Sequence, residues 1–264
     1  MTADELVTHF VAGAQLAKSL RRQSPQVVFV LGCEMTLFNN GFVPGATVVE
    51  RIQTMMNPTL LADQSESPEE LVQRFNAFLG QAVTAVREHF AGAVTYASGP
   101  WETIDWSRFD LVAVDHYRDA GNRDSYREQL RAYFAYERPV VVTEFGCCTY
   151  RGAPDRGALG WTIVDCAAQP PRLTEQVVRD EQEQARYLVE LLDILDEEGV
   201  DGAFWFSFAG YEHPYHADPR YDLDCASYGV VKILDGATGA TYPGMPWEPK
   251  RSFYALASSY GRAR

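Results

Sequence analysis

The chain has 264 residues, 46% of them hydrophobic, which is enough to bury a sizeable core and is not a disordered composition. With 23 lysines and arginines against 36 acids, the formal net charge is −13; this argues against a nucleic-acid backbone or an anionic membrane as the main partner but leaves room for a local basic pocket. There is no apolar segment of bilayer-spanning length, and the opening MTADELVTHF lacks the basic start and apolar core of a signal peptide, so a cytoplasmic protein is expected.

Thr2 and Glu5 form a capping-box pattern, and residues 4–21 carry Val7, Phe10, Val11, Ala14 and Ala17 on one helical stripe. QVVFVLG (26–32) is continuously apolar, as a strand buried on both faces requires. An irregular connection, 35–66, contains NNGFVPG. The next helix has Ser67 as N-cap, Pro68 in the first position and Glu70 closing a capping box, with Leu71, Phe75, Phe78, Leu79, Ala82 and Val86 as its stripe. GAVTYASG (92–99) and FDLVAVDHY (109–117) read as strands joined by a short connection. A helix over about 124–136 leads to the strand RPVVVTEFG (138–146). After a long connection (147–173) comes a helix over about 174–198 with Gly199 as its terminator. The fifth strand is DGAFWFSF (201–208), and after a further long connection (209–248) a last helix follows Pro249. This order predicts one α/β domain over 1–264 with a parallel sheet and long loops at the strand ends, where such folds place ligands.

Each strand end carries residues suited to chemistry: Glu34; Trp101 and Glu102; Asp115, His116 and Tyr117; Glu144; Trp205 and Ser207. A lone strand-end acid is ordinarily a helix N-cap or a solvated loop residue, so the signal lies in several converging on one sheet face. The five cysteines (Cys33, Cys147, Cys148, Cys166, Cys225) lack metal-ligand spacing and are expected to be reduced. Cys147 has no readable histidine partner for a nucleophile's role. Asp218, Asp222 and Asp224 lack the glycine turn and terminal Glu of a calcium loop and read as solvated. No metal and no cofactor is expected.

TEFG after an apolar strand, followed one βα unit later by GAFWFSF, resembles the last strands of clan A glycoside hydrolases, which are (β/α)8 barrels. The resemblance implies that LGCE is the strand-four site, with Glu34 as general acid/base. It implies that VVVTEFG is the strand-seven site, with Glu144 as nucleophile, and the two intervening strands fit. VDHY falls in the strand-six region, where an aromatic residue or His often hydrogen-bonds the nucleophile, so His116 and Tyr117 are expected at the site. Trp205 matches the strand-eight sugar platform; Trp101 and Glu102 are added as ligand-binding candidates. More narrowly, EMTLFNNGFVPG and DLDCASYGVVK are similar to actinobacterial barrel proteins labelled abortive phage infection proteins. Carboxylates about 5–5.5 Å apart would give retention through a covalent intermediate.

There are two departures from the pattern. The residue before the acid/base is usually Asn, in contact with the sugar 2-hydroxyl; here it is Cys33, a weaker hydrogen-bonding group. The first strand corresponds to strand four, so an incomplete TIM-barrel-like sheet of about five βα units, equivalent to strands four to eight, is expected. Its open edges call for a homodimer or a partner chain. The reading is an enzyme acting on a small-molecule or glycoside ligand. The alternatives are a non-hydrolytic cyclase, isomerase or lyase of secondary metabolism, and an inactive binding or scaffold protein.

Overall fold

Thr2 and Glu5 start the first helix by capping it reciprocally. In the computed structural model, which describes residues 2–24, 26–56 and 67–261, the Glu5 amide donates to the Thr2 hydroxyl at 3.3 Å and the Thr2 amide to the Glu5 carboxylate at 2.7 Å. This helix is α1 (Ala3–Arg21). After it come β1 (Val28–Cys33), the short helices α2 (Met35–Phe38) and α3 (Val48–Met56), α4 (Pro68–Arg87), β2 (Ala93–Ser98) and β3 (Val112–Asp115). The chain continues through α5 (Tyr126–Tyr133), β4 (Val140–Phe145), β5 (Val164–Asp165), β6 (Arg172–Leu173), α6 (Glu181–Glu197), β7 (Gly202–Trp205), β8 (Val231–Ile233), β9 (Trp247–Pro249) and α7 (Arg251–Tyr260). Five parallel strands make one sheet in the order β1-β2-β3-β4-β7, and β5–β6 and β8–β9 are short antiparallel pairs. The chain divides into two compact units, Met1–Asp115 with Tyr133–Val141, and His116–Ala132 with Val142–Arg264.

In the first unit β1 and β2 pair in register from Val28 opposite Ala93 to Val30 opposite Thr95, then shift so that Cys33 faces Ala97. The shift falls between Val30 and Cys33, a stretch that includes Gly32, where a Cβ would sit 2.5 Å from the Met35 sulfur and the Met35 side chain would have to move. The stripe of α4 buries Phe75, Phe78, Leu79, Ala82 and Val86 as its spacing predicts. Phe42 packs edge-on against Phe75 at 4.9 Å, and Phe10 of α1 lies 6.4 Å from Phe78. The connection expected to be irregular holds α2 and α3. Arg51, buried on α3, donates to the carbonyls of Leu37 and Gly45 and to Asn40 Oδ1, which ties that segment together. The part of the connection at 57–66 lies outside the described residues.

In the second unit α6 begins at Glu181 rather than at 174, because Asp180 caps the Glu183 amide at 2.9 Å and the residue before it is held elsewhere. That residue, Arg179, pairs with Asp222 and Asp224 at 2.8 Å each; Lys250, fully buried, pairs with Asp224 at 2.9 Å and donates to the Thr149 hydroxyl at 2.8 Å. Asp222 and Asp224 are therefore buried ion-pair partners and not the solvated acids expected, whereas Asp218 is exposed. Gly199 follows the end of α6 with φ +78°, the left-handed position predicted for a helix terminator. Among the described residues no helix is long and apolar enough to cross a membrane.

The end of α6 is tied to α5 by Glu198, which accepts two hydrogen bonds from Arg131 at 2.6 and 2.7 Å and one from Arg127 at 2.8 Å. These guanidinium contacts push its carboxyl down to about 2. A carboxylate whose folded pKa is depressed contributes stability that is present above its unfolded value, near 4.5, and is lost as pH falls toward 2. Glu198→Gln should therefore be less stable than the wild type at neutral pH in urea denaturation, with the gap narrowing steadily below pH 4.5. A gap independent of pH would show that the pairing does not stabilise the fold.

Candidate active site

The first unit carries Glu34, Trp101 and Glu102. Glu34 follows β1 with φ 44° and ψ 42°, a left-handed conformation that few non-glycine residues adopt. Its amide donates to the Ala97 carbonyl at 3.0 Å, and its carbonyl accepts from the Leu37 and Phe38 amides at 3.0 Å. The carboxylate takes no part in capping α2. Other groups cap that helix: the Met35 amide donates to the Tyr96 hydroxyl at 2.6 Å and the Thr36 amide to Glu102 Oε1 at 3.1 Å. Glu102 also accepts from the Thr36 hydroxyl at 2.6 Å, the Tyr96 hydroxyl at 2.8 and 2.9 Å and the Gly99 amide at 3.0 Å. Burial raises the Glu102 carboxyl above the usual range, and the hydrogen bonds from Thr36, Tyr96 and Gly99 oppose that rise. The Tyr96 hydroxyl is pushed up by burial and by the neighbouring Glu102.

Trp101 is 39% exposed, and its indole N–H donates to the Thr36 hydroxyl at 3.1 Å. Its ring lies so close over Gly99 that a Cβ there would approach it to 2.5 Å. Cys33 donates its thiol to Asp115 Oδ2 at 3.2 Å, and Asp115 is buried. In this unit the structure thus brings Glu34, Trp101 and Glu102 to one turn, with Thr36 joining the last two. Glu102, expected among the ligand residues, has both oxygens engaged by protein donors.

The second unit carries Glu144, His116, Tyr117 and Trp205. The His116 amide donates to the Glu144 carbonyl at 2.8 Å, and the Tyr117 hydroxyl donates to Glu144 Oε2 at 3.1 Å. His116 is buried and stacks on Tyr126 with ring centroids 4.4 Å apart; its Nε2 lies 3.3 Å from the Tyr126 carbonyl. Burial lowers its pKa, which favours the neutral ring. Of the two candidates from VDHY, it is Tyr117 whose side chain reaches the Glu144 carboxylate.

Trp205 is only 8% exposed; its indole N–H donates to the Tyr228 carbonyl at 2.9 Å, and its ring packs edge-on against Phe145 and Tyr187. That packing leaves it little face for a ligand. Phe206, its neighbour, is 40% exposed and lies 5.8 Å from Tyr228. Sequence reasoning missed Phe206 and Tyr228, although the two-residue period of GAFWFSF places Phe204, Phe206 and Phe208 opposite Trp205. Cys147, Cys148 and Cys225 are buried with their thiols pushed up by desolvation, as structural cysteines are. All five cysteines are free thiols.

No known family model matches the chain, and no curated protein does. Solved structures resemble it in fold. A GH113 β-1,4-mannanase aligns at TM-score 0.57 and 15% identity over 100% of this chain and 65% of its own. The GH113 β-mannanase of Alicyclobacillus acidocaldarius in complex with ManMIm aligns at TM-score 0.51 and 17% identity, covering 85% of this chain and 60% of its own. A β-glucuronidase of Ruminococcus gnavus aligns at TM-score 0.51 and 14% identity, over 99% and 36%. The chain spans less than two thirds of the length of these proteins. The likeness shows a TIM-barrel-like α/β fold of the kind found in those glycoside hydrolases, in keeping with the fold class read from the sequence. None of the three bears on the narrower likeness to abortive phage infection proteins.

Glu102→Gln tests the capping network. An amide placed there turns one acceptor into a donor facing the Thr36 or Gly99 N–H, and a buried donor left without an acceptor costs about 1–3 kcal/mol. The urea midpoint should fall by a corresponding amount with an unchanged m-value. A variant as stable as the wild type would remove the network from the account of how Glu34 is held.

Proposed function

We propose that this chain is a glycoside hydrolase-like enzyme in which Glu34 is the general acid/base and Glu144 the nucleophile. The observation that carries the reading is the hydrogen bond from the Tyr117 hydroxyl to Glu144 Oε2. The resemblance calls for an aromatic or His partner to the nucleophile from that strand end, and a donor on one oxygen orients the other for attack. The left-handed backbone of Glu34 adds support, because strained non-glycine residues cluster at functional sites.

In this reading Glu144 attacks the anomeric carbon while Glu34 protonates the leaving oxygen. Glu34 then takes a proton from water as that water displaces Glu144 from the sugar. The exposed rings of Trp101 and Phe206 serve the ligand, and Phe206 takes the platform role first assigned to Trp205. β-Mannosides and β-glucuronides are the first substrates to try, since the neighbours in fold are a β-mannanase and a β-glucuronidase. The reading keeps residues 1–264 as one barrel-derived domain in the cytoplasm. It also keeps a second copy of the chain as the cover for exposed apolar side chains of the outer strands, Val28 and Val30 on β1 and Phe204 on β7.

Glu34→Gln and Glu144→Gln should each lower kcat on aryl β-glycosides by about 10²–10⁴-fold. Glu34→Gln should be spared in the bond-breaking step when the leaving group is 2,4-dinitrophenolate, which needs no proton. Tyr117→Phe should lower kcat by about tenfold or more, as loss of a hydrogen bond to a charged group implies. Unchanged turnover in both glutamine variants sinks the assignment.

Cys33 favours a second reading, a non-hydrolytic enzyme of small-molecule metabolism that uses the same glutamates for proton transfer. Its thiol bonds Asp115 where the resemblance calls for an Asn that holds a sugar hydroxyl. Glutamate-dependent turnover of a non-glycosidic intermediate, with no activity on any glycoside, would select it.

A further inference from the structure

A cavity of about 520 Å³ opens in the first unit where α1 and α4 end. Its lining includes Lys18, Arg21 and Arg22 from α1 and its cap, and Arg87, His89 and Phe90 from the end of α4 and the turn after it. Glu88 is the one carboxylate there. In a chain of net charge −13, four cationic side chains around one concavity need a reason.

Helix ends supply part of it. Carbonyl groups at a helix C-terminus favour a nearby cation. Yet the Leu20 carbonyl already accepts backbone amides from Gln23 and Ser24, at 2.9 and 3.0 Å. Arg87 is engaged by Asp110 at 2.8 Å. Lys18, Arg21 and Arg22 have no side-chain ion pair or hydrogen bond among the described residues; the Arg21 guanidinium lies 5.9 Å from the Phe90 ring centre. Arg21 and Arg22 stand three and four positions after Lys18, so the Lys18 charge faces both, and these like-charge pairs disfavour the last turn of α1. A bound polyanion would turn that repulsion into attraction.

We propose that this cavity binds a small molecule carrying a di- or polyphosphate group. Lys18, Arg21 and Arg22 would contact its oxygens, and the Phe90 ring would back Arg21. Guanidinium groups suit phosphate because they donate in pairs to its oxygens. The concavity and the acidic remainder of the chain select a small anion over a nucleic-acid strand, which needs an extended basic track. The proposal does not rest on the reading of Glu34 and Glu144.

Titration calorimetry with inorganic pyrophosphate and with tripolyphosphate at low salt tests it. Binding should be saturable, weaken as salt rises, and weaken by about tenfold or more in the Arg21→Gln/Arg22→Gln double variant. Lys18→Gln should also weaken it, which decides the matter should the double variant misfold; Arg220→Gln in the second unit should have no effect. Absence of binding at millimolar pyrophosphate, equal affinity for sulfate, or undiminished binding by a folded Arg21→Gln/Arg22→Gln or Lys18→Gln protein would each overturn the proposal.

Discussion

The first unit is organised around one constraint: a carboxylate must leave the end of β1, a strand in which only Leu31 is buried and not the doubly covered strand its apolar run predicts, without being used up at the helix it leads into. A strand-end acid followed by a helix would ordinarily cap that helix, its oxygens accepting the first amides. Glu34 stands at that position and does not cap. The first amides of α2 are served from elsewhere, Met35 by the Tyr96 hydroxyl and Thr36 by Glu102. With capping delegated in this way, the Glu34 backbone can adopt a left-handed conformation that costs about 1–2 kcal/mol. Tyr96 is fully buried and Glu102 half-buried, and hydrogen bonds shielded from water are stronger and unmade ones more costly. The same contacts that relieve α2 therefore also make the turn rigid.

The second unit meets a comparable demand with charge. Thr149, Arg179, Asp222, Asp224 and Lys250 come from widely separated segments, and the Asp224 Oδ2 atom is shared by Arg179 and Lys250. Burying such ions is costly, and an apolar cluster would hold segments together at least as stably. What ions add is specificity of position, since Lys250 has its partners in only one arrangement. Tyr228 extends the same economy of contacts. Its hydroxyl bonds to the Gly157 carbonyl and Gly160 amide while its carbonyl holds the Trp205 indole, so one residue fixes both a loop and a strand end.

Much of this was legible in the sequence, and the limits follow a physical pattern. Both capping boxes, at Thr2 and Ser67, were readable because their partners lie three residues apart. The five strands were readable as apolar runs, though their ends were not: of FDLVAVDHY only Val112–Asp115 is strand, and Asp110 before it accepts the Val94 amide on its carboxylate at 2.7 Å. The late start of α6 and the burial of Asp222 and Asp224 depend on Arg179 finding acids more than forty positions away, which no local pattern records. Glu102 was legible as a strand-end acid but not as a cap for residues on another strand's turn. Trp205 differs in kind: the alternation of its strand puts it on the packed face, which the aromatic motif does not record.

Cys33 bears most directly on the proposed role of Glu34. An Asn before the proposed acid/base would offer two amide hydrogens to a ligand hydroxyl; a thiol offers one weak donor. Here that donor is directed to Asp115, which is buried and so gains from any hydrogen bond to its carboxylate. Were Cys33 changed to Asn, the longer side chain would have to satisfy Asp115 as well as reach a ligand. The residue thus belongs to the internal support of the β1 turn. Trp101 in the first unit and Phe206 in the second each keep an exposed aromatic face, 39% and 40% accessible. The fold shared with mannanases leaves the ligand open, so the proposed roles of Glu34 and Glu144 rest on tests of their own chemistry.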